Sequence, residues 1–227
     1  MEIVPGVYWL DLGVSNCYLI AEDDQLTLVD AGVKRSARPI LEFIHEIGYS
    51  PEQLTRVLLT HADVDHVGGV NPLRADYPLE VFASRTAAEA LARGHSSRKI
   101  KAGIFSPLFT WFEALGGAMK IDVDTLAAEG DTLPLLGGLE VFDTPGHTPG
   151  HVSFYAPRHK LLFAGDSVST RPDHVLPNQT KMFNWNQEKM LASVHRQQAL
   201  APEIVCSGHG PVVFDAAEKF QLIGEQT

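Results

Sequence analysis

The stretch Thr60-His61-Ala62-Asp63-Val64-Asp65-His66 carries four side chains of the types that bind metal ions within six residues. It follows the short apolar run Arg56-Val57-Leu58-Leu59, which predicts a buried strand. Side chains at the ends of strands can converge from distant parts of a chain onto one pocket. Imidazole and carboxylate groups together suit Zn, Fe and Mn. The loop therefore predicts one part of a metal site, and further ligands must come from later in the chain.

Three later strand-like runs lead into a metal-ligating residue that glycines flank. These residues are His147, Asp166 and His209. Glycine permits positive φ angles and a close approach of backbones, as a tightly folded metal loop requires. One histidine at a strand end is more often a hydrogen-bonded structural residue than a ligand. Several such segments in order are hard to explain as core packing, and with His61 and His66 they supply enough ligands for two metal ions.

Apolar periodicity and turn residues predict the elements around these segments. Strand-like runs alternate with helices in both halves of the chain, which favours a sandwich of two sheets with outer helices. Ser36 and Gly48 bound one predicted helix, and Asn186 caps another that runs to about residue 200. The pair Gly137-Gly138 predicts a hairpin with a two-residue turn. A last helix is predicted from Asp215 to about Ile223.

Five short motifs, in order along the chain, resemble those of the metallo-β-lactamase-fold hydrolases. This superfamily includes class B β-lactamases, glyoxalase II and quorum-quenching lactonases. The resemblance covers nearly the whole chain and implies a single α/β (α+β) domain over residues 1–227, a four-layer αββα sandwich of two mixed β-sheets flanked by helices. The motifs are Val29-Asp30-Ala31-Gly32, the loop from His61 to His66, Gly146-His147-Thr148-Pro149-Gly150-His151, Phe163-Ala164-Gly165-Asp166 and Ser207-Gly208-His209-Gly210.

Carried over position by position, the resemblance implies two divalent metal ions. The first ion would be held by His61, Asp63 and His147, the second by Asp65, His66 and His209, and Asp166 would bridge them. The residues that would support these ligands by hydrogen bonds are Asp30, Thr60 and His151.

Asp63 departs from the family pattern H-x-H-x-D-H, which has a histidine at this position. A carboxylate adds negative charge and hardness, so it should shift the preference of the first position from Zn toward Fe or Mn. Alternatively, Asp63 is not a ligand, and the first position binds metal weakly or not at all.

The resemblance implies a binuclear metallohydrolase. A metal-bridging hydroxide would cleave a small ester, thioester, lactone or phosphoester, and Asp65 would be the catalytic residue that orients the water and carries its proton. One alternative is an iron-dependent, oxygen-consuming enzyme of the persulfide-dioxygenase type. Another is a non-catalytic, metal-bound sensing module.

The stretch at about 86–120 fits the layered pattern least well, and we expect a helical insertion there. Its aromatic residues include Phe105, Phe109, Trp111 and Phe112, much of the apolar sequence lying at helical spacing. Such a segment is either a core-facing helix or a hairpin over the active site that acts as a lid or as the contact of a homodimer.

The composition of the chain limits the classes of partner that we expect it to bind. A formal net charge of −10 repels a phosphate backbone, so we expect a small-molecule substrate and no nucleic acid. The sequence has neither a signal-peptide pattern at its start nor an apolar run long enough to cross a bilayer, which favours a cytoplasmic protein without membrane contact. Cys17 and Cys206 lie in apolar strand-like runs and are predicted to be buried free thiols.

Overall fold

The computed structural model describes residues 1–97, 120–178 and 183–220. Seven strands form the first sheet, side by side in the order of the sequence. Neighbouring strands are antiparallel from the first to the fourth and parallel from the fourth to the seventh, so the sheet is mixed. The strands are Glu2–Val4 (β1), Val7–Asp11 (β2), Asn16–Glu22 (β3), Gln25–Val29 (β4), Leu54–Leu58 (β5), Glu80–Ala83 (β6) and Thr125–Leu126 (β7).

The later strands are Thr132–Leu133 (β8), Leu139–Asp143 (β9), Val152–Ala156 (β10), Leu161–Gly165 (β11), Val168–Arg171 (β12), His174–Pro177 (β13), Ile204–Ser207 (β14) and Val213–Phe214 (β15). Six of them form the second sheet, in the order β15-β14-β11-β10-β9-β8, and β12 pairs with β13 in a separate hairpin. Strands β11 and β14 are parallel and the other neighbours in the second sheet are antiparallel, so this sheet is mixed as well.

Helices cover the outer faces of both sheets. They are Ala37–Glu46 (α1), Val64–Val67 (α2), Val70–Asp76 (α3), Arg85–Arg93 (α4) and Gln187–Ala199 (α5). Buried side chains of α1, α3 and α4 pack on the first sheet, and those of α5 pack on the second. A third buried cluster lies between the two sheets. The predicted four-layer α/β sandwich is therefore confirmed.

Strand β3 shows how the sequence divides its side chains between layers. Tyr18 and Ile20 point into the cluster between the sheets, whereas Cys17 and Leu19 point toward the helices. This alternation follows from the two-residue period of a strand. Cys17 and Cys206 are both buried and free, as predicted.

Two helices lie where their sequence signals predict them, although Ser36, which precedes α1, makes no side-chain capping hydrogen bond to it. In α1, Ile40 and Ile44 lie one turn apart and are fully buried, which stabilises the layer by about 1.5–3 kcal/mol for each side chain. Helix α5 begins after Asn186, whose side chain accepts a hydrogen bond from the Lys189 amide as a cap should.

The two-residue turn predicted at Gly137-Gly138 is wrong, because the loop between the two strands is longer. Leu133 pairs with Leu139, so the loop contains the five residues 134–138. Leu135 and Leu136 are buried in the cluster between the sheets, and the Leu136 amide donates to the Glu22 carboxylate. These apolar residues therefore fill the core from a loop, and they do not extend the strand.

The predicted C-terminal helix is also wrong within the described residues. Ala216–Glu218 form a short 3-10 turn, and Phe220 then makes a β-bridge with Val175. Phe220 is buried against the second sheet, so the apolar spacing reflects packing of a turn.

The stretch predicted as an insertion begins with α4, which belongs to the helical layer because Ala87, Ala90 and Leu91 are buried there. The aromatic residues proposed for a lid, Phe105, Phe109, Trp111 and Phe112, lie outside the described residues. Over the described ranges, no helix is both long and apolar enough to cross a membrane.

Candidate metal centre

The ends of three strands and two loops meet at one edge of the sandwich. His61 follows β5, Asp166 follows β11, and His209 follows β14. His147 lies in the loop between β9 and β10, and the segment from Val64 turns into α2 so that His66 points back toward His61. All seven residues predicted as ligands are brought together here, although they come from four separate parts of the chain.

The first group consists of His61, Asp63 and His147. Oδ2 of Asp63 lies 3.2 Å from Nε2 of His147 and 3.7 Å from Nε2 of His61. All three side chains are buried or nearly so. The Asp63 carboxylate thus occupies the position between the two imidazoles, where a ligand of a shared ion would lie.

The second group consists of Asp65, His66 and His209. Oδ2 of Asp65 lies 3.8 Å from Nε2 of His66 and 3.5 Å from Nε2 of His209. His209 is 41% exposed and Asp65 is 30% exposed, so this side of the cluster opens to solvent.

Asp166 lies between the two groups. Its Oδ1 is 3.4 Å from Nε2 of His66, while its Oδ2 is 3.4 Å from Nε2 of His147 and 3.3 Å from Nε2 of His209. One carboxylate therefore faces histidines of both groups, which is the placement that a bridging ligand requires.

Two observations show that the cluster fits metal ions. Nε2 of His61, Nε2 of His66 and Oδ1 of Asp166 are buried, and none of them has a hydrogen-bond partner among the described residues. Buried polar atoms are normally paired, so these atoms face a missing partner. Two atoms that each lie about 2.1 Å from one tetrahedral ion are about 3.4 Å apart, which is the spacing found here.

Hydrogen bonds at Nδ1 orient the histidines toward the cluster. Nδ1 of His66 lies 2.9 Å from Oδ2 of Asp30, and the Thr60 hydroxyl donates to the same carboxylate at 2.7 Å. Because that hydroxyl donates its proton to Asp30, it accepts from Nδ1 of His61 at 2.9 Å. Nδ1 is thereby the donor in both histidines, so Nε2 is the nitrogen that can bind a metal ion when the imidazole is neutral.

Asn184 does the same for His147 and was missed by the sequence analysis. Its Oδ1 lies 3.2 Å from Nδ1 of His147, and its amide group donates to the Asn178 carbonyl and to Gln187. The only signal was its place two residues before the helix cap Asn186, which gives no reason to connect it with a histidine 37 residues earlier.

His151 supports the cluster without facing it. Its Nε2 accepts from the Asp166 amide at 2.9 Å, so its Nδ1 carries the proton and donates to the Thr144 hydroxyl. Burial, reinforced by the neighbouring His147, lowers the pKa of His151 to about 3. The imidazole is therefore neutral at ordinary pH and accepts a hydrogen bond from the backbone of Asp166.

The electrostatics of the cluster favour a cation. Burial opposes protonation of His66, but Asp166, Asp65 and Asp30 outweigh it and raise the pKa of this imidazole well above its usual value. Burial likewise opposes ionisation of Asp166, but His66 and the other histidines hold the pKa of that carboxyl well below its usual value. The carboxylates thus concentrate negative charge at a buried point, where metal ions are attracted.

The chain is similar in sequence and in fold to known proteins. A family model described as the metallo-beta-lactamase superfamily matches residues 10–209. The probable metallo-hydrolase YqgX of Bacillus subtilis is 28% identical over 207 residues, which cover 87% of this chain and 85% of that protein. A hydroxyacylglutathione hydrolase of Cereibacter sphaeroides is 33% identical over 176 residues, covering 76% of this chain and 54% of that protein. The solved structure of BLEG-1, a B3 metallo-beta-lactamase, is 26% identical with a TM-score of 0.68, covering 93% of this chain and 95% of that one.

Proposed function

The chain belongs to the metallo-β-lactamase superfamily, and on that premise we propose that it is a binuclear metal-dependent hydrolase of a small ester, thioester, lactone or phosphoester. The observation that carries the proposal is the convergence of unpaired buried atoms, Nε2 of His61, Nε2 of His66 and Oδ1 of Asp166, on one point of the described structure. A core of ordinary polar residues would pair these atoms with each other or with the backbone.

In this proposal His61, Asp63 and His147 hold the first ion, and the second is held by Asp65, His66 and His209, with Asp166 contacting both. Metal ions bound there would lower the pKa of a coordinated water and polarise the carbonyl or phosphoryl oxygen of the substrate. The supporting residues Asp30, Thr60 and Asn184 keep Nδ1 of the histidines occupied, so that Nε2 remains available.

Asp65 is the residue that we assign to proton transfer. Its side chain is 30% exposed, against 11% for Asp63 and 6% for Asp166. A carboxylate at the open side of the cluster can orient the attacking water, accept its proton at a carboxylate oxygen and release it to solvent or to the leaving group.

Among the four substrate classes, we rank thioesters first. Relatives named hydroxyacylglutathione hydrolase act on a thioester, since an acyl group joined to glutathione sulfur is one. The chain spans 54% of the length of such a relative, so only the thioester bond, and not the identity of its thiol, enters this proposal. The shared region supports a thioester or a related acyl compound as the substrate class.

The test combines metal analysis with activity. Protein purified without added metal is analysed for Zn, Fe and Mn, and then assayed on one substrate of each class after loading with each metal. We expect turnover of at least one class that a chelator abolishes and that added metal restores. Absence of turnover in all four classes with all three metals would sink the proposal.

Matched variants locate that activity. Asp65→Asn should lower kcat by about 100-fold or more, as the loss of a general base does, and Asp166→Ala should lower the bound metal. His45→Ala changes an exposed histidine on α1 and should leave both metal content and turnover unchanged. An effect of His45→Ala as large as that of Asp65→Asn would show that the assay reports general damage.

A second candidate function rests on Asp63. Two histidines and one carboxylate on one face of an ion are typical of non-haem iron enzymes that consume oxygen, and His61, His147 and Asp63 form such a set. The candidate is therefore an iron-dependent dioxygenase of the persulfide type.

An oxygen electrode separates the two functions. The iron-loaded protein should consume oxygen in the presence of a persulfide if the second candidate holds, and should show no oxygen uptake during ester or thioester cleavage if the first one does. Stoichiometric Zn or Mn at two ions per chain counts against the dioxygenase.

A further inference from the structure

Asp63 presents its two oxygens to different partners. Oδ2 faces Nε2 of His147 at 3.2 Å and Nε2 of His61 at 3.7 Å, whereas Oδ1 accepts a hydrogen bond from the Ser96 hydroxyl at 2.5 Å. Asp63 directly precedes the first residue of α2, and its backbone is extended, with φ −80° and ψ 145°. This backbone conformation directs the carboxylate inward. Both oxygens of the Asp63 carboxylate therefore have partners, which restricts its rotation about the Cβ–Cγ bond.

Ser96 reaches Asp63 because of how α4 ends. Gly94 adopts the left-handed conformation with φ 75°, and the amides of Gly94 and His95 close the last turn on carbonyls of the helix. This turn is a common way to end a helix, and it sends the chain off the helix axis. Ser96 follows directly and lies half-buried against the ligand loop.

The other end of α4 is also tied to the metal centre. Ser84 caps the helix by accepting from the Ala87 amide, and its hydroxyl donates to the Gly150 carbonyl at 2.6 Å. Gly150 belongs to the loop that carries His147. Because the helix is packed in the core and held at its first end, Ser96 is delivered to Asp63 from a rigid element.

We infer that Ser96 is a positioning residue that holds the Asp63 carboxylate as a one-oxygen ligand of the ion shared with His61 and His147. The inference rests on the proposed function, because it takes Asp63 as a ligand. With Oδ1 accepting from the Ser96 hydroxyl, Oδ2 is the oxygen that faces Nε2 of both His61 and His147, so the first ion would receive two imidazoles and one carboxylate oxygen. Without Ser96 the carboxylate can rotate, bind with both oxygens or turn away.

Metal affinity measured by competition with a chromogenic chelator is the first test. Hydrogen-bond partners of metal ligands contribute about 10–100-fold in affinity. Ser96→Ala should therefore lower the affinity for the ion shared with His61 and His147 by that factor. Ser96→Thr keeps the hydroxyl and should retain affinity close to that of the wild type. Ser97→Ala makes the same chemical change one residue along and should have no effect, since its hydroxyl has no partner in the described parts of the chain.

The absorption spectrum of the Co²⁺-loaded protein supplies a readout that a merely structural role would not move. A change from one-oxygen to two-oxygen ligation alters the coordination number, and the visible bands should change in Ser96→Ala but not in Ser97→Ala. Unchanged affinity together with an unchanged Co²⁺ spectrum in Ser96→Ala would overturn the inference.

Asp63→Ala distinguishes this failure from a failure of the proposed function. If Asp63→Ala loses the first ion while Ser96→Ala keeps it with an unaltered spectrum, only the role of Ser96 is wrong. If Asp63→Ala binds both ions as the wild type does, Asp63 is not a ligand, and both the assignment of the first position and the role of Ser96 are wrong. If the wild type binds no metal, the proposed function fails as well.

Discussion

Thr60 makes three hydrogen bonds, which connect the candidate ligand His61 with Asp30 behind it. Its hydroxyl donates to Asp30 and accepts from His61, and its backbone amide donates to the other oxygen of the Asp30 carboxylate. Asp30 itself adopts a left-handed conformation with φ 56°, which is costly for a residue other than glycine. The hydrogen bonds from Thr60 and His66 hold it there, so the strain and the metal loop depend on each other.

Thr60→Val tests this connection without changing the shape of the side chain. We expect the free energy of unfolding of the metal-free protein to fall by about 1–3 kcal/mol, because Asp30 and His61 each lose a buried partner. Urea denaturation measures it. Thr60→Ser keeps the hydroxyl and should stay closer to the wild type than Thr60→Val; a Thr60→Val variant as stable as the wild type would show that the hydroxyl does not stabilise this site.

At the scale of elements, the turn after β14 is shaped by Gly208. A Cβ atom at this position would overlap Oδ1 of Asp166 and contact the His66 ring. The φ angle of Gly208 is not in the left-handed region, so its absence of a side chain serves the close approach of backbone to ligand. The strand end and the carboxylate that follows β11 can meet only because this residue is glycine.

Gly208→Ala should therefore displace Asp166 and lower the metal affinity by about 10-fold or more, in line with the loss of support to a ligand. Chelator competition on the purified variant measures it. Gly13→Ala is the control: it has φ 78° and open space around the added atom, so it should cost stability through backbone strain but leave metal affinity intact. Metal affinity in Gly208→Ala equal to that of the wild type would contradict the steric argument.

The two cysteines belong to different layers but share one property. Cys17 of β3 and Cys206 of β14 are fully buried, and burial raises the pKa of both thiols well above the usual value. Asp30 raises the pKa of Cys17 further. Since the thiolate is the reactive form, both residues should be inert in the folded protein.

Thiol titration with a chromogenic disulfide reagent checks this. At pH 8 we expect no rapidly reacting thiol in the folded protein and two per chain after unfolding in denaturant. Because the pKa values are raised, increasing the pH to about 9 should still leave the thiols unreactive while the protein stays folded. Rapid labelling of either cysteine under native conditions would contradict this prediction, because it would show that the thiol becomes exposed to solvent in the folded protein.

At the scale of the whole molecule, Asn16 joins the two sheets at the metal centre. Its side-chain amide donates to the carbonyls of Ser207 and Gly210 at 3.0 and 2.6 Å, and its backbone amide donates to the Gly208 carbonyl. Its Oδ1 accepts from Nε1 of Trp9, which fixes the orientation of the amide. The loop that carries His209 is therefore held by the first sheet, although it belongs to the second.

Asn16→Ala should lower the free energy of unfolding by about 2 kcal/mol or more, because buried carbonyls of this loop lose their partners. In the proposed two-ion arrangement it should also weaken binding of the ion held by His209 more than binding of the ion held by His147. Denaturation and chelator competition measure the two effects. Asn71→Ala removes a single exposed hydrogen bond to Lys120 and serves as the control; a comparable loss of metal there would refute the specific role of Asn16.

Much of the fold was predictable because it depends on local patterns. The apolar spacing of α1 and the cap at Asn186 each depend on a few neighbouring residues of the chain, and both are found as expected. The five-residue loop after β8 was not predictable, since Leu136 is buried by contacts with a strand more than a hundred residues earlier. The hydrophobicity of Leu136 indicates that it is buried, but it does not indicate whether the residue lies in a strand or in a loop.

The sequence by itself determined which side chains form the candidate metal centre, because several imidazoles and carboxylates at successive glycine-bounded strand ends are hard to explain as core packing. Only the tertiary structure decided how they are held. Asn184, Ser96 and Asn16 support His147, Asp63 and the His209 loop across gaps of 37, 33 and 191 residues. These hydrogen bonds depend on distances of about 3 Å between segments that folding brings together, and no local pattern encodes such distances.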